Sequence, residues 1–123
     1  MNNETKKRLL DALEACRAIQ QFTAGNNFAS YAADSMRRAA VERKFEILGE
    51  ALSRAEESAP ELTERLPEIR RIIGMRNRII HGYDAVDDEI VWDTVQGKIP
   101  SLLEQLSTLL SDKDAEGKNE QHQ

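Results

Sequence analysis

The stretch from Gly74 to Asp84 holds the side chains of this chain that are best suited to chemistry at a phosphate. It contains Arg76 and His81, and His81 is one of only two histidines in the sequence. An arginine stays charged at all ordinary pH values, and its planar guanidinium matches the oxygens of a phosphate. A histidine exchanges a proton near neutral pH and can act as a general base or acid. The pair therefore suggests an anion held at Arg76 and proton transfer at His81.

The spacing of this stretch predicts a helix in which Arg76 faces the core. The apolar residues in phase with it, at i, i+4 and i+11, are Ile69, Ile73 and Ile80. An arginine on such a stripe needs a carboxylate partner or a bound anion. Because each residue turns a helix by ~100°, His81 lies roughly 140° from Arg76 and on a different face. Asn77 shares the face of His81 and is a supporting candidate, since its amide can fix the imidazole tautomer.

Two glutamates and a tyrosine complete the set of candidate site residues. Glu46 and Glu50 lie one turn apart on the preceding predicted helix, and either can serve as the counter-charge of Arg76. Gly82 is expected to end the motif helix, and Tyr83 follows this break, so its phenol can turn back toward the histidine. The sequence has no metal-ligand spacing and no glycine-rich phosphate loop, so we expect neither a metal nor a cofactor.

Apolar repeats along the chain predict an all-α, up-and-down bundle of four main helices plus a short extra one. The main helices are expected at about 4–22, 28–57, 68–81 and 88–109, and the short one at 60–66. Gly97 and Pro100 predict a break within the last helix. The second helix carries two adjacent apolar lines, which suits a central helix or one that also meets a second copy of the chain. Gly49 within it costs ~1 kcal/mol against alanine and predicts a close approach by another backbone.

Length and composition indicate one helical domain at 1–111 and a disordered polar tail at 112–123. No apolar run reaches the ~20 residues that a membrane span needs, so we expect a cytoplasmic protein with no membrane partner. Cys16 is the only cysteine and is expected to be buried.

The net charge of −5 argues against a simple nucleic-acid-binding domain, which is normally basic. The charge is unevenly distributed, however, because residues 1–36, 37–83 and 84–123 carry 0, +2 and −7. The motif thus lies in the only segment with a positive balance.

Three segments in this order resemble the HepT-like toxins, a branch of the HEPN superfamily. They are EILGEA at 46–51, then Arg76, four residues, His81, one residue and Tyr83, and finally IVWD at 90–93 followed by Pro100. The resemblance extends from about residue 28 to residue 110.

The resemblance implies a metal-independent RNA endonuclease that leaves a 2′,3′-cyclic phosphate and acts as the toxin of a toxin–antitoxin pair. It implies a homodimer with a composite active site at the interface, in which Arg76 and His81 are catalytic. It also implies inhibition by AMPylation of Tyr83, carried out by a minimal nucleotidyltransferase antitoxin (MntA-type).

Two other interpretations remain open. In the first, the chain is a noncatalytic helical module that binds a nucleotide or a nucleotidyltransferase, and the same side chains contact a nucleotide phosphate. In the second, it is a structural dimerisation bundle in which Arg76 forms an ion pair and His81 only caps its helix.

Overall fold

The computed structural model of the chain describes residues 1–81 and 86–121, with side chains described as far as Ser111. Within these ranges the backbone forms seven helices and no strand, so the predicted all-α class is confirmed. The helices are α1 (Asn3–Thr23), α2 (Phe28–Ala33), α3 (Ser35–Ser58), α4 (Leu62–Arg65), α5 (Ile69–His81), α6 (Asp88–Gly97) and α7 (Ile99–Gln121).

Helix α3 lies at the centre of the bundle. It packs against α1, α2, α4 and α5, while α7 packs against α1 and α6. Burial of the apolar stripes removes a large hydrocarbon surface from water, which is the main force that holds such a bundle together. The apolar residues that repeat at helical spacing in the predicted first, second and last helices are buried. They are Leu9, Leu13, Cys16 and Ile19 in the first, Val41, Phe45, Leu48, Leu52 and Ala55 in the second, and Val95, Ile99, Leu102, Leu106 and Leu109 in the last.

The predicted helix at 28–57 is in fact two helices, and the prediction of one continuous helix was wrong. Asp34 divides α2 from α3 with an extended backbone (φ −107°, ψ 94°). Its carboxylate accepts a hydrogen bond of 3.0 Å from the backbone N–H of Arg37 and thereby caps α3. A cap of this kind satisfies an N–H group that has no partner in the first turn, so it stabilises a new helix start.

The last predicted helix is also divided, as Gly97 and Pro100 indicated, into α6 and α7 at Lys98. Asp87 caps α6 by accepting from the backbone N–H groups of Glu89 (3.0 Å) and Ile90 (3.2 Å). The ring of Trp92 on α6 lies 5.3 Å from the ring of Tyr31 on α2, at an interplanar angle of 36°. This contact fixes α6 on the bundle just after the motif.

The backbone of α7 is helical as far as Gln121. The division of the chain into a helical domain at 1–111 and a disordered tail at 112–123 stays a prediction. Among the helices of the described ranges, none combines the length and apolar composition that a membrane crossing requires.

Candidate functional site

Arg76 is held in place by an ion pair with Glu50 where α5 packs against α3. Its Nη1 donates to Glu50 Oε2 at 3.1 Å, and the Arg76 side chain is only 20% exposed. The other oxygen of Glu50 accepts from Nε of Arg54 at 2.8 Å. Glu50 therefore bridges two guanidinium groups and fixes the direction of Arg76, while the carboxylate itself stays half exposed.

Glu46, the other candidate counter-charge, accepts instead from Nη1 of Arg43 at 2.9 Å. Glu46 and Glu50 are one turn apart on α3, and α5 approaches α3 closely at Gly49, directly beside Glu50. The structure thus brings Glu50, and not Glu46, to Arg76. Arg54 was missed by the sequence reasoning, although a Glu–Arg pair at i, i+4 is a recognised helical signal.

Gly49 allows the close approach of α5 to α3. A Cβ atom at this position would lie 2.4 Å from Cβ of Arg76 and 2.7 Å from its Cγ, with the carbonyl oxygen of Ile72 at 3.6 Å. The first two separations are too short for carbon atoms that are not bonded. A close approach was predicted at Gly49 with another backbone as its partner; the approach is present, but the nearest atoms belong to the side-chain stem of Arg76.

The buried face of α5 differs in part from the predicted stripe. Ile69 is buried as expected, but Ile72 and Met75 complete the face, and Ile80 is 45% exposed. The burial of Ile80 was therefore predicted wrongly. Arg76 follows Met75 and borders the buried face, which explains how its stem packs while its guanidinium reaches Glu50.

His81 is the last residue of α5, and its side chain is exposed. It lies on the wall of a cavity of about 530 Å³ between α5 and α6. The other lining residues are Met75, Asn77, Arg78, Val86, Asp87 and Ile90. Asn77 and His81 share this cavity, but no hydrogen bond joins them in the described part of the chain. The supporting role of Asn77 stays a prediction.

Among the described residues, Arg76 does not line the cavity at His81. Glu50, the partner of Arg76, lines a separate cavity of about 280 Å³ between α1 and α3. This agrees with the roughly 140° that separates the two side chains around the helix. Tyr83 lies outside the described residues, and its role stays a prediction. Over 1–81 and 86–111, no group of three or more His, Cys, Asp or Glu side chains is placed to hold a metal ion.

The environment of Glu50 favours its charged form. The hydrogen bond from Arg54, followed by the positive charges of Arg54, Arg76 and Arg8, holds the pKa of Glu50 below its usual value. Because the folded pKa is depressed, the contribution of Glu50 to stability is present above the unfolded pKa and is lost as pH falls through the folded value.

Replacing Glu50 by glutamine is expected to lower the RNA cleavage that the sequence resemblance implies for Arg76 by roughly 3- to 10-fold, since the fixed charge that orients the guanidinium is removed. The free energy of unfolding at neutral pH should change little, because ion pairs whose carboxylate stays in contact with water contribute about 0–1 kcal/mol. Initial rates of that cleavage and thermal denaturation from neutral to acidic pH measure the two effects.

Glu46→Gln is the matched control, since it removes the same charge one turn away without touching Arg76. Equal losses of rate in the two variants would show that Glu50 has no particular role in orienting Arg76.

Comparison with known proteins gives one family and several relatives. The family model described as "HepT-like: Ribonuclease HepT-like" matches residues 12–109. A protein of Thermococcus cleftensis named "Probable ribonuclease HepT" is 38% identical over 105 residues, covering 83% of this chain and 92% of the relative.

Two further relatives carry names that describe them as candidate RNases. The one from Methanocaldococcus jannaschii is 31% identical over 117 residues, covering 95% of this chain and 94% of its own length. The one from Caldanaerobacter subterraneus is 31% identical over 98 residues, covering 80% and 87%. No solved structure gives a significant match.

Proposed function

Because the chain belongs to the ribonuclease HepT-like family, we propose that it is a metal-independent RNA endonuclease in which Arg76 and His81 are catalytic. The observation that carries the proposal is that the family match includes both residues on one helix, α5. Arg76 on this helix is oriented by Glu50, and His81 is exposed at a cavity. Cleavage of a phosphodiester needs a fixed charge at the phosphate and groups that transfer protons, and Arg76 and His81 are residues of these two kinds.

The reaction proposed for these groups is transfer of the phosphate to the neighbouring 2′-hydroxyl. The 2′-oxygen attacks the phosphorus and gives its proton to a base, while the bond from phosphorus to the 5′-oxygen breaks and that oxygen takes a proton from an acid. The products are a 2′,3′-cyclic phosphate and a 5′-hydroxyl. A histidine can fill either proton-transfer role, and Arg76 stabilises the negative charge that gathers on the phosphate oxygens.

We place the active site at the interface of a homodimer. The reaction uses a base and an acid, whereas the motif supplies one histidine per chain, and Arg76 is not among the described residues that line the cavity at its own His81. A two-fold axis near α5 would bring the motifs of two chains together. Ile80 supports this arrangement, because it is 45% exposed directly beside His81 and offers an apolar contact for the second chain.

We further propose that the protein acts in the cytoplasm as the toxin of a toxin–antitoxin pair and is inhibited by a nucleotidyltransferase antitoxin. The acceptor would be Tyr83, two residues after His81. AMP attached there adds a negative charge close to the position proposed for the RNA phosphate, so it would repel and obstruct the substrate.

The test is incubation of the purified chain, shown by mass spectrometry to be unmodified at Tyr83, with total cellular RNA in EDTA. We expect defined fragments that end in 2′,3′-cyclic phosphate, because neither Arg76 nor His81 chemistry requires a metal. Absence of cleavage by the unmodified protein would reject the nuclease and favour the noncatalytic module that binds a nucleotide or a nucleotidyltransferase.

A further inference from the structure

A groove runs along α5 and α6 away from His81. The cavity at His81 and a second one of about 310 Å³ share Met75, Arg78 and Ile90 as lining residues, so the two adjoin each other. The second cavity is also lined by Arg71, Gly74 and Thr94. We call the two together the α5–α6 groove. From residue 71 to residue 81 it follows α5 for roughly 15 Å, at the ~1.5 Å rise of a helical residue.

Gly74 forms part of the wall of this groove, and no contact within the described ranges accounts for a glycine there. It lies in the middle of α5, where glycine is the least favourable residue except proline. A Cβ atom at Gly49 would collide with Arg76, but one at Gly74 would meet no atom within 4 Å. The absence of a side chain leaves the backbone of α5 open to a ligand in the groove.

Two arginines stand at the rim of the α5–α6 groove. Arg78 is exposed and has no ion pair or hydrogen bond within the described ranges. Arg71 is 63% exposed, and its only recorded partner there is Glu68, with Nε at 3.6 Å from the carboxylate. Asp87, the carboxylate that lines the groove near His81, is engaged as the cap of α6. The groove therefore offers cations that are available to an anionic ligand.

The floor of the α5–α6 groove is apolar. Met75 is buried, and Ile90 is 38% exposed, so its side chain presents hydrocarbon surface to the groove. A positively charged groove that follows the phosphates is one feature of sites for single-stranded nucleic acid, and an apolar surface beside the cations can cover the face of an unpaired base. In double-stranded RNA the bases are stacked inside the duplex and cannot reach the apolar floor of the groove.

We propose that the α5–α6 groove binds an unpaired RNA strand next to the cleavage position at His81, with a base against Ile90 and phosphates at Arg78 and Arg71. This inference rests on the proposed function and specifies its substrate class as single-stranded RNA. Gly74 leaves the space through which the strand passes.

The experiment measures binding of a fluorescein-labelled 2′-O-methyl oligoribonucleotide of about 12 nucleotides, a length within the usual site sizes. Blocking the 2′-oxygen prevents cleavage, so fluorescence anisotropy reports binding alone. Gly74→Leu is expected to weaken binding by ~10-fold or more by filling the groove, while its melting temperature stays the same or rises, because leucine favours a helix. Arg78→Ala should weaken binding roughly 5-fold and reduce the salt dependence by about 0.7 in slope.

Matched controls lie outside the groove. Gly97→Leu adds the same side chain at another glycine with no atom within 4 Å, and Arg70→Ala removes a charge from α5 at a residue that pairs with Glu56. The proposal is overturned if Gly74→Leu binds the oligonucleotide as tightly as Gly97→Leu does. It is also overturned if Gly74→Leu changes the oligomeric state in size-exclusion chromatography, because the groove would then be covered by a second copy of the chain.

The two proposals can fail separately. A wild-type protein that cleaves RNA, together with a Gly74→Leu variant that binds normally, rejects the groove and keeps the nuclease. A wild-type protein that binds the oligonucleotide through Gly74 and Arg78 but cleaves no RNA keeps the groove and rejects the nuclease.

Discussion

Replacing His81 by alanine is expected to lower the rate of RNA cleavage by about 10²- to 10⁴-fold, the usual contribution of a general acid or base. His81 is exposed at the end of α5, so the free energy of unfolding should change by no more than ~0.5 kcal/mol. Single-turnover cleavage of labelled RNA in EDTA, measured beside thermal denaturation, separates the two quantities. A folded His81→Ala protein that cleaves at the wild-type rate would contradict the catalytic role.

Arg76→Ala should cause a loss of about 10²- to 10³-fold, comparable to removal of one donor that stabilises a transition-state charge. Glu50 keeps its hydrogen bond from Arg54 in this variant, so no carboxylate is left without a partner. Arg70→Ala is the control, because it removes an exposed arginine from the same helix. Arg76→Lys keeps the charge but not the planar fork, and a partial loss is expected.

Mixing the wild-type protein with the His81→Ala variant tests the composite site. If one site uses the His81 side chains of both chains, only the re-formed dimers that are wild type on both sides cleave RNA, so an equal mixture keeps about a quarter of the rate of the same amount of wild-type protein. A remaining rate of about a half, with mixed dimers shown to form, would mean that each chain uses its own histidine.

The fold was largely predictable because its helices are strongly amphipathic. The apolar repeat of Leu9, Leu13 and Cys16 has the spacing of one face of a helix, and these residues are buried in the structure. Asn27 and Asp87 were predictable as caps because a short polar side chain precedes each apolar run.

The break at Asp34 was missed because the residues around it contain no glycine or proline. Between residues 28 and 40 the alanines fit a helix equally well with or without an interruption. The sequence signal for the break was Asp34 followed by Ser35, because a short polar side chain such as aspartate is typical of the residue that caps the start of a helix. In the structure, the break lets α2 pack against α6 as well as against α3.

The residue types of the candidate site could be predicted from the sequence, but the choice of the carboxylate that pairs with Arg76 could not. Sequence places Glu46 and Glu50 on one face of α3, and the choice between them depends on where α5 approaches that helix. This position is set by three-dimensional packing around Gly49, which no local pattern encodes. The exposure of Ile80 was missed for a related reason, since a helix with isoleucines at 72, 73, 79 and 80 offers two nearly equivalent stripes.

Gly49→Ala is expected to lower both the free energy of unfolding and the rate of RNA cleavage, although neither glycine nor alanine has a side chain that can take part in the reaction. The added Cβ would lie 2.4 Å from Cβ of Arg76, an atom next to the backbone that cannot move without α5. Overpacking of this kind costs about 1–3 kcal/mol, against a gain of ~1 kcal/mol in helix propensity, so a net loss of ~0–2 kcal/mol follows. Displacing Arg76 by about 1 Å should lower the cleavage rate by up to ~100-fold.

The decisive comparison is with Gly74→Ala, the same substitution in the interior of another helix. No atom lies within 4 Å of the added Cβ at Gly74, so this variant should gain up to ~1 kcal/mol of stability. Urea denaturation of the two proteins is therefore expected to shift in opposite directions from the wild type. Suppose that Gly49→Ala is stabilised as much as Gly74→Ala and cleaves RNA at the wild-type rate. Then α3 and α5 can move apart without affecting cleavage, and the hypothesis that close packing at Gly49 orients Arg76 is wrong.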